Sequence, residues 1–217
     1  MQIHIWSDVV CPWCYVGKRR FERALEAFAH RDQVNVTHRS FQLDPTRPHG
    51  ETSSRRRMLM SKYRRTAVEV LEMDQKMEAL AAAEGLEYHL TDANLTGNTF
   101  DAHQLLHLAK TQGLQDAVIE RLYRAYFSEQ LSLFDRESLA TLAGEAGLDT
   151  REARQALEDG AFADAVANDL NDAKQLGVTG VPFFVVDSRY AVSGAQPAEV
   201  FGQLLARAWE EQDVAVR

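Results

Sequence analysis

Cysteine is scarce in this sequence. Only two of its 217 residues are cysteines, and no stretch of eighteen residues is continuously apolar. The lack of an apolar stretch argues against a membrane-spanning helix, which needs about 20 such residues. The scarcity of cysteine argues against a disulfide scaffold, because a chain of this length buries a core that folds without cross-links. The two cysteines therefore need an explanation in chemistry or in metal binding.

Basic residues are also outnumbered. The chain has 24 lysines and arginines against 32 aspartates and glutamates, which gives a formal net charge of −8. Nucleic-acid phosphates need a basic surface, so this balance argues against a nucleic-acid partner. The beginning MQIHIWSDVVC lacks the basic region, apolar block and cleavage site of a secretion signal. We therefore expect a cytoplasmic protein with no membrane partner.

Both cysteines lie in SDVVCPWCYVGKRRFERAL, at the point where the hydrophobic pattern changes. Residues 2–7 alternate between polar and apolar, which predicts a strand, and the apolar residues after Cys14 recur at helical spacing. Proline is favoured at the first position of a helix, so Pro12 places Cys11 at the N-cap. The helix dipole then favours a thiolate on Cys11, since cysteines at helix N-termini have pKa values of roughly 3.5 to 7.5 instead of about 8.5.

This arrangement predicts redox chemistry. Cys11 is the expected exposed nucleophile, with its sulfur facing the N–H groups of Trp13 and Cys14. Cys14 is expected to be more buried and to attack a mixed disulfide on Cys11. We predict no metal site, because zinc needs four ligands and no second CxxC pair or histidine group completes a set nearby. Zinc shared between chains and a pair of inert buried cysteines stay open as alternatives.

The two ends of the chain together predict a mixed sheet of the α/β class. Residues 34–41 alternate as a second strand, which completes a β-α-β unit with the first strand and the helix. Towards the other end, an apolar run over 183–186, a turn over 187–189 and a short strand over 190–193 precede a helix opened by Pro197. These elements form a β-β-α unit.

The segment between the two units, about residues 55–176, has almost wholly helical patterns. The predicted organisation is a discontinuous domain of residues 1–54 and 177–217, with a helical domain of residues 55–176 inserted into it. We predict no repeat within the inserted segment.

Within that segment, apolar spacing from Leu59 to Ala81 predicts one long amphipathic helix. Asp135 and Thr150 precede two further helical patterns. Because aspartate and threonine are favoured N-cap residues, we predict that each caps the helix that follows it.

Four stretches resemble the DsbA family of thiol-disulfide oxidoreductases in the thioredoxin-like superfamily, particularly its FrnE-like cytosolic branch. They are SDVVCPWCYVGKRRFERAL, FQLDP, NTFDAHQLLHLA and GVTGVPFFVV, and the resemblance spans essentially the whole chain. It implies a thioredoxin-like fold with a large all-helical insertion and a redox-active Cys11–Cys14 disulfide in place of a bound cofactor. It also implies protein or small-molecule thiols and disulfides as partners, with glutathione as a candidate co-substrate. The oligomeric state is not predicted.

The resemblance assigns a role to the stretch GVPFF. Pro182 falls at the position of the family's cis-proline, which implies that the Val181 backbone pairs with an extended substrate and that the ring shields Cys11 from metal ions. A turn before an edge strand is the ordinary alternative for this proline. We expect Pro12 and Trp13, between the cysteines, to contact the substrate as well.

Two other functions stay open. Exported DsbA oxidants have Pro-His between the cysteines where this chain has Pro12 and Trp13, so the direction of the redox reaction is not predicted. Kappa-class glutathione transferases and hydroxychromene carboxylate isomerases resemble the chain too, with serine at the position of Cys11. Such an activity would place Asn98 and His103 near a small-molecule pocket. The second alternative is a non-catalytic protein that binds a ligand between its domains.

Several polar residues have ordinary structural explanations. Asp8 is expected to hydrogen-bond its turn rather than act as a proton carrier. His103 and His107 have the i, i+4 spacing of metal ligands but lack the glutamate of an HExxH site, so we expect an exposed or capping face. The alternative for His103 is a place at the border of the active site, if the inserted domain caps that site. The run RRRMLMSKYRR, residues 55–65, is expected to be a solvated helix face, with steering of anionic thiols as the alternative.

Overall fold

The computed structural model describes residues 1–215. Its strands are β1 (Gln2–Ser7), β2 (Asn35–Ser40), β3 (Thr52–Ser54), β4 (Leu95–Gly97), β5 (Phe183–Val186) and β6 (Tyr190–Ser193). Its helices are α1 (Pro12–Glu26), α2 (Arg55–Tyr63), α3 (Ala67–Ala83), α4 (Phe100–Thr111), α5 (Gln115–Phe127), α6 (Arg136–Glu145), α7 (Thr150–Asp159), α8 (Ala163–Gln175) and α9 (Ala198–Ala215). No helix within the described range is long and apolar enough to cross a membrane.

A four-stranded mixed sheet joins the two ends of the chain, in the order β2-β1-β5-β6. Strand β1 pairs in parallel with β2 and antiparallel with β5, which in turn pairs antiparallel with β6. These are the predicted β-α-β and β-β-α units. The first strand and the last two have the predicted bounds, whereas β2 is one residue shorter at each end than predicted.

Helices α1 and α9 pack on one face of this sheet. Phe21 of α1, Phe184 of β5 and Phe201 of α9 form the centre of that layer, with ring centroids 4.5 to 5.7 Å apart. On the other face, the indole N–H of Trp6 donates to the carbonyl of Asp169 in α8 at 3.1 Å. The sheet is therefore covered on both sides.

A second core lies among the helices of the middle segment and reaches the start of α1. Tyr15 of α1 stacks on Tyr123 of α5 with ring centroids 4.7 Å apart, and Tyr88 stacks on Phe127 at 4.6 Å. Cys11 and Cys14 belong to this core as well. The first turn of α1 thus lies between the sheet and the helical segment. The domain boundaries before residue 55 and after residue 176 stay a prediction.

The predicted long helix from Leu59 to Ala81 is wrong, because the structure divides it into α2 and α3. Arg64 ends α2 in the left-handed conformation, with φ of 52°. Thr66 then caps α3: its hydroxyl accepts from the Glu69 N–H at 3.3 Å, and the Glu69 carboxylate accepts from the Thr66 N–H at 2.8 Å. This capping box satisfies N–H groups that a new helix leaves unpaired.

The middle segment is mostly helical, as predicted, but it also contributes β4, which pairs antiparallel with β3. One of the two predicted caps is confirmed, since Asp135 accepts from the Ser138 N–H at 2.8 Å. The other is off by one residue. The carboxylate of Asp149, not Thr150, accepts from the N–H groups of the first turn of α7, and Thr150 is the first helical residue.

Candidate active site

The turn between β1 and α1 holds both cysteines. Cys11 is the N-cap of α1 and Pro12 is its first residue, as predicted. The N–H of Cys11 donates to the Asp8 carbonyl at 3.0 Å, and the N–H of Cys14 donates to the Cys11 carbonyl at 3.0 Å. These two hydrogen bonds fix the backbone on which the thiols are placed.

The Cys11 sulfur does not face the first N–H groups of α1, contrary to the prediction. It caps none of them. The thiol instead donates to the carbonyl oxygen of Val181, with 3.6 Å between sulfur and oxygen. Cys11 is only 4 % exposed, so the prediction of an exposed nucleophile is also wrong. The chain segment that carries Val181 covers the sulfur. Because Val181 is 170 residues away in the chain, the sequence around the cysteines could not reveal this cover.

Cys14 lies behind Cys11 and is 2 % exposed. Burial raises the pKa of the Cys14 thiol well above its ordinary value, and its interaction with the Cys11 thiol raises it further. Both cysteines belong to the same buried cluster. The two thiols are free in this structure.

The Val181–Pro182 peptide bond is cis, which agrees with the expectation for Pro182. The proline ring packs against Gly17, one turn further along α1 than Cys14. A Cβ at Gly17 would lie 2.8 Å from Cγ of Pro182, closer than real Cβ contacts come. Gly17 therefore lets α1 approach the proline. Gly17 was not among the predicted site residues, although a glycine inside a predicted helix is a signal of close packing.

A cleft of about 1180 Å³ opens beside Cys11. Cys11, Pro12, Trp13 and Val181 form part of its wall, and Trp13 is 45 % exposed. Helices α2 and α3 and the β3–β4 pair contribute the opposite wall. Four of the predicted site residues therefore meet at one opening.

Asn98 and His103 do not line this cleft. Asn98 is buried, and its side-chain amide donates to the Arg47 carbonyl at 2.6 Å, while its carbonyl oxygen accepts from the Phe100 N–H at 2.8 Å. It thus ties the start of α4 to the loop that follows β2. His103 is 1 % exposed and lies with its Nε2 atom 3.5 Å from Oδ1 of Asp8.

Contrary to the expectation, the side chain of Asp8 does not hydrogen-bond its own turn but the loop that follows β2. Its Oδ2 atom accepts from the Leu43 N–H at 2.8 Å, and Leu43 lines the cleft. The expectation of an exposed or capping face for His103 and His107 is wrong, because both histidines are buried. His107 has its Nε2 atom 3.0 Å from Oδ2 of Asp169. Within residues 1–215, no group of three or more histidine, cysteine, aspartate or glutamate side chains is arranged to hold a metal ion.

The basic run over residues 55–65 is only partly a solvated face. Arg55 is buried and pairs with the buried Asp74, with 2.8 Å between Nη1 and Oδ1. Arg57 and Lys62 are exposed and line the cleft. The predicted solvated face is therefore correct for some of its members and wrong for Arg55, whose partner lies on the next helix.

The sequence model of the DSBA-like thioredoxin domain matches residues 2–206. This chain belongs to that family. A probable DsbA oxidoreductase from Streptomyces coelicolor is 52 % identical, with a TM-score of 0.93 over 97 % of this chain and 91 % of that one. The mixed sheet with its helical segment is accordingly the DsbA-like thioredoxin fold.

Two more distant structures share this fold. The cytosolic disulfide reductase DsbM from Pseudomonas aeruginosa is 18 % identical, with a TM-score of 0.63 over the full length of both chains. Its structure is also known with GSH. A 2-hydroxychromene-2-carboxylate isomerase is 15 % identical, with a TM-score of 0.69 over the full length of both chains.

Proposed function

We propose that this protein is a cytoplasmic thiol-disulfide oxidoreductase that works through a mixed disulfide on Cys11, which Cys14 resolves. The observation that carries the proposal is the placement of Cys11 at the cleft wall, with Cys14 buried in the first turn of the helix that Cys11 begins. The family supports thiol-disulfide chemistry. A cytosolic reductase with the same fold is compatible with the proposed location. Membership of the FrnE-like branch stays a prediction.

The proposed reaction has two exchange steps. In the reducing direction, the Cys11 thiolate attacks one sulfur of a substrate disulfide, forms a bond to it and releases the other sulfur as a thiolate that takes up a proton. The Cys14 thiolate then attacks Cys11 and releases the second substrate thiol. The substrate disulfide gains two electrons, and the Cys11–Cys14 pair loses two and becomes a disulfide. The oxidising direction runs through the same steps in reverse.

The surroundings of the cysteines suit these steps. The exposed Trp13 and the Val181 backbone flank Cys11 at the cleft, where an extended substrate would lie. Burial keeps the pKa of Cys14 high, so this thiol is mostly protonated at neutral pH and less reactive towards molecules in solution. We propose that it reacts chiefly with the neighbouring sulfur of Cys11. Glutathione is a candidate co-substrate, since the DsbM structure with GSH has this fold.

Two serine variants test the order of attack. Cys14→Ser is expected to accumulate a mixed disulfide with a model disulfide peptide, which mass spectrometry detects, whereas Cys11→Ser is expected to form none. A mixed disulfide on Cys14 in the Cys11→Ser protein would contradict the assignment of the nucleophile. The direction is then decided by the reduction potential, followed by Trp13 fluorescence. About −120 mV would indicate an oxidant and about −270 mV a reductase.

The isomerase and transferase alternative receives less support from the site. It requires Asn98 and His103 near a small-molecule pocket. Neither side chain lines the cleft, and each lies behind a residue that does, Asn98 behind Arg47 and His103 behind Asp8. A non-catalytic ligand-binding role predicts unchanged ligand binding when both cysteines are replaced by serine. The redox proposal instead predicts that this double variant loses all exchange activity.

A further inference from the structure

The cleft beside Cys11 is lined by more cations than carboxylates, although the protein as a whole is acidic. Five cations and three carboxylates line it. Two of the cations have carboxylate partners: Arg55 with Asp74 at 2.8 Å, and Arg47 with Asp44 at 3.2 Å. The third carboxylate, that of Asp8, is buried and bonded to the Leu43 N–H.

Three cleft cations remain: Arg57 and Lys62 on α2, and Lys76 on α3. All three are exposed, and none has an ion-pair partner among the residues that the structure describes. In a chain with a net charge of −8, this is an uncompensated positive region. Charge of one sign along a cleft attracts ligands of the opposite sign.

Between these cations the cleft wall is apolar. Helices α2 and α3 contribute Met58, Leu59, Tyr63, Met73, Met77 and Leu80 to it. Tyr63 is 51 % exposed and Met73 is 40 % exposed, so part of this surface has no partner within the described part of the chain. Flexible methionine side chains adapt to apolar groups of different shape. The wall therefore suits an occupant that is acidic and apolar at once.

The size of the cleft favours a peptide over a compact small molecule. Its volume, about 1180 Å³, exceeds the roughly 300 to 1,000 Å³ of pockets that enclose drug-sized ligands. Arg57 and Lys62 both line the cleft although they are five positions apart in α2, which separates them by about 7.5 Å along the helix axis and about 140° around it. Each cation can therefore bind a different acidic side chain of one extended peptide.

We propose that the cleft selects extended peptide segments in which acidic and apolar side chains lie close to the reacting cysteine, and that Arg57 and Lys62 bind the acidic side chains. The inference rests on the proposed thiol-disulfide exchange. It adds a substrate class to that activity and assigns specificity to α2, an element outside the CPWC turn.

The test uses three synthetic peptides that differ only near a cysteine held as a mixed disulfide with a small neutral thiol. They carry Glu-x-Glu, Gln-x-Gln or Lys-x-Lys, and their reduction by the full-length protein is followed at low and high salt. We expect the glutamate peptide to react about five- to tenfold faster than the glutamine peptide. This ratio should approach one in 1 M salt, where the screening length is about 3 Å.

Charge reversal identifies the residues responsible. Arg57→Glu and Lys62→Glu are each expected to lower the glutamate-to-glutamine rate ratio by roughly threefold, and the double variant is expected to prefer the lysine peptide. Lys174→Glu is the matched control. Lys174 is an exposed cation on α8 outside the cleft, so the same change of net charge there should leave the ratio unchanged.

The outcomes separate this inference from the proposed function. Equal rates with the glutamate and glutamine peptides, or a ratio that Lys174→Glu lowers as much as Arg57→Glu, would overturn the inference and leave the exchange activity intact. Charge dependence seen with oxidised glutathione but with none of the peptides would overturn the choice of a peptide. Failure of every disulfide to react, with wild type equal to Cys11→Ser, would overturn both the proposed function and the inference that rests on it.

Discussion

Gly17 of α1 and Pro182 are packed so closely that a methyl group on Gly17 would lie 2.8 Å from Cγ of the proline. The same methyl group would lie 3.4 Å from Cβ of Ala195. The proline ring and the alanine methyl group have little freedom to move aside. The contact thus links the helix that begins at Cys11 to the segment whose Val181 carbonyl covers the Cys11 sulfur.

Replacement of Gly17 by alanine is therefore expected to damage both stability and reactivity. Overpacking should lower the free energy of unfolding by about 1 to 2 kcal/mol, in spite of the better helix propensity of alanine. Alkylation of Cys11 should become faster as the covering segment moves away. Gly202→Ala is the control, because a Cβ there meets nothing within 4 Å, and it should stabilise the protein slightly. Equal behaviour of the two variants in urea would contradict this account.

The high pKa of Cys14 predicts a loss of stability at alkaline pH in the reduced protein. Burial raises that pKa in the folded state, so the folded chain keeps a proton that the unfolded chain loses above about pH 8.5. The stabilising contribution is present below pH 8.5 and is lost as the pH rises towards the folded-state pKa, by at most about 1.4 kcal/mol per pH unit. Urea unfolding from pH 7 to 9.5 should show a shallower decline for Cys14→Ser.

Replacement of Asp8 distinguishes between two roles of its carboxylate, a structural role and proton transfer. Burial raises the pKa of Cys14 most, the interaction with Cys11 raises it further, and the charge of Asp8 adds to this. If Asp8 has only a structural role, Asp8→Asn should lower that pKa and speed the attack of Cys14 on a glutathione mixed disulfide of Cys11 severalfold at pH 7. Stopped-flow release of glutathione measures this step. A slower release in the variant would indicate that Asp8 carries the proton.

Asp169 joins β2, α4 and α8 through a buried carboxylate. It is 1 % exposed and accepts from Arg39 at 2.6 Å and from the Ser40 N–H at 2.8 Å, in addition to its contact with His107. Asp169→Asn removes the charge from this cluster, and we expect it to lower the free energy of unfolding by about 3 kcal/mol at pH 7. Asp172→Asn is the control. Asp172 lies 3.7 Å from Arg39 and is 45 % exposed, so its loss should cost less than about 1 kcal/mol.

The loss of stability caused by Asp169→Asn should become smaller as the pH falls. Burial raises the pKa of the Asp169 carboxyl. The hydrogen bonds from His107 and the Ser40 N–H, together with the positive charge of Arg39, lower it by more, so the pKa lies below its ordinary value. The stabilisation is thus present above about pH 3.9 and is lost as the pH falls through the folded-state pKa. Chemical unfolding at pH 7 and pH 3 should show the difference between wild type and variant shrinking at pH 3. A constant difference would contradict the charged state of Asp169.

The sequence predicted the two ends of the chain well because their signals are local. Alternation over residues 2–7 and the apolar run over residues 183–186 mark strands whatever surrounds them. The break at Arg64 was missed although the T-x-x-E capping box at Thr66 stands in the sequence. The apolar spacing continues through the break, and periodicity alone cannot reveal a left-handed residue.

Burial of polar residues depends on distant packing and was harder to predict. His103 and His107 lie on α4, whose sides are covered by other helices and by β2, so its polar residues are buried along with its apolar ones. The cleft also depends on the packing of distant parts of the chain. Cys11, Arg57 and Val181 are far apart in the chain, and only the packing of α2 and α3 opposite the cysteines brings them to one opening.

The pairing of β1 with β5 has a consequence for synthesis of the protein. A ribosome releases β1 and both cysteines long before Val186, the residue with which Ile3 pairs in the folded protein. Such long-range pairing forms late in folding. Until then Cys11 has no Val181 carbonyl over its sulfur, and β1 has one unpaired edge. A nascent or truncated chain therefore exposes a reactive thiol beside an open strand edge, which makes it a substrate for the chemistry that the finished protein is proposed to perform.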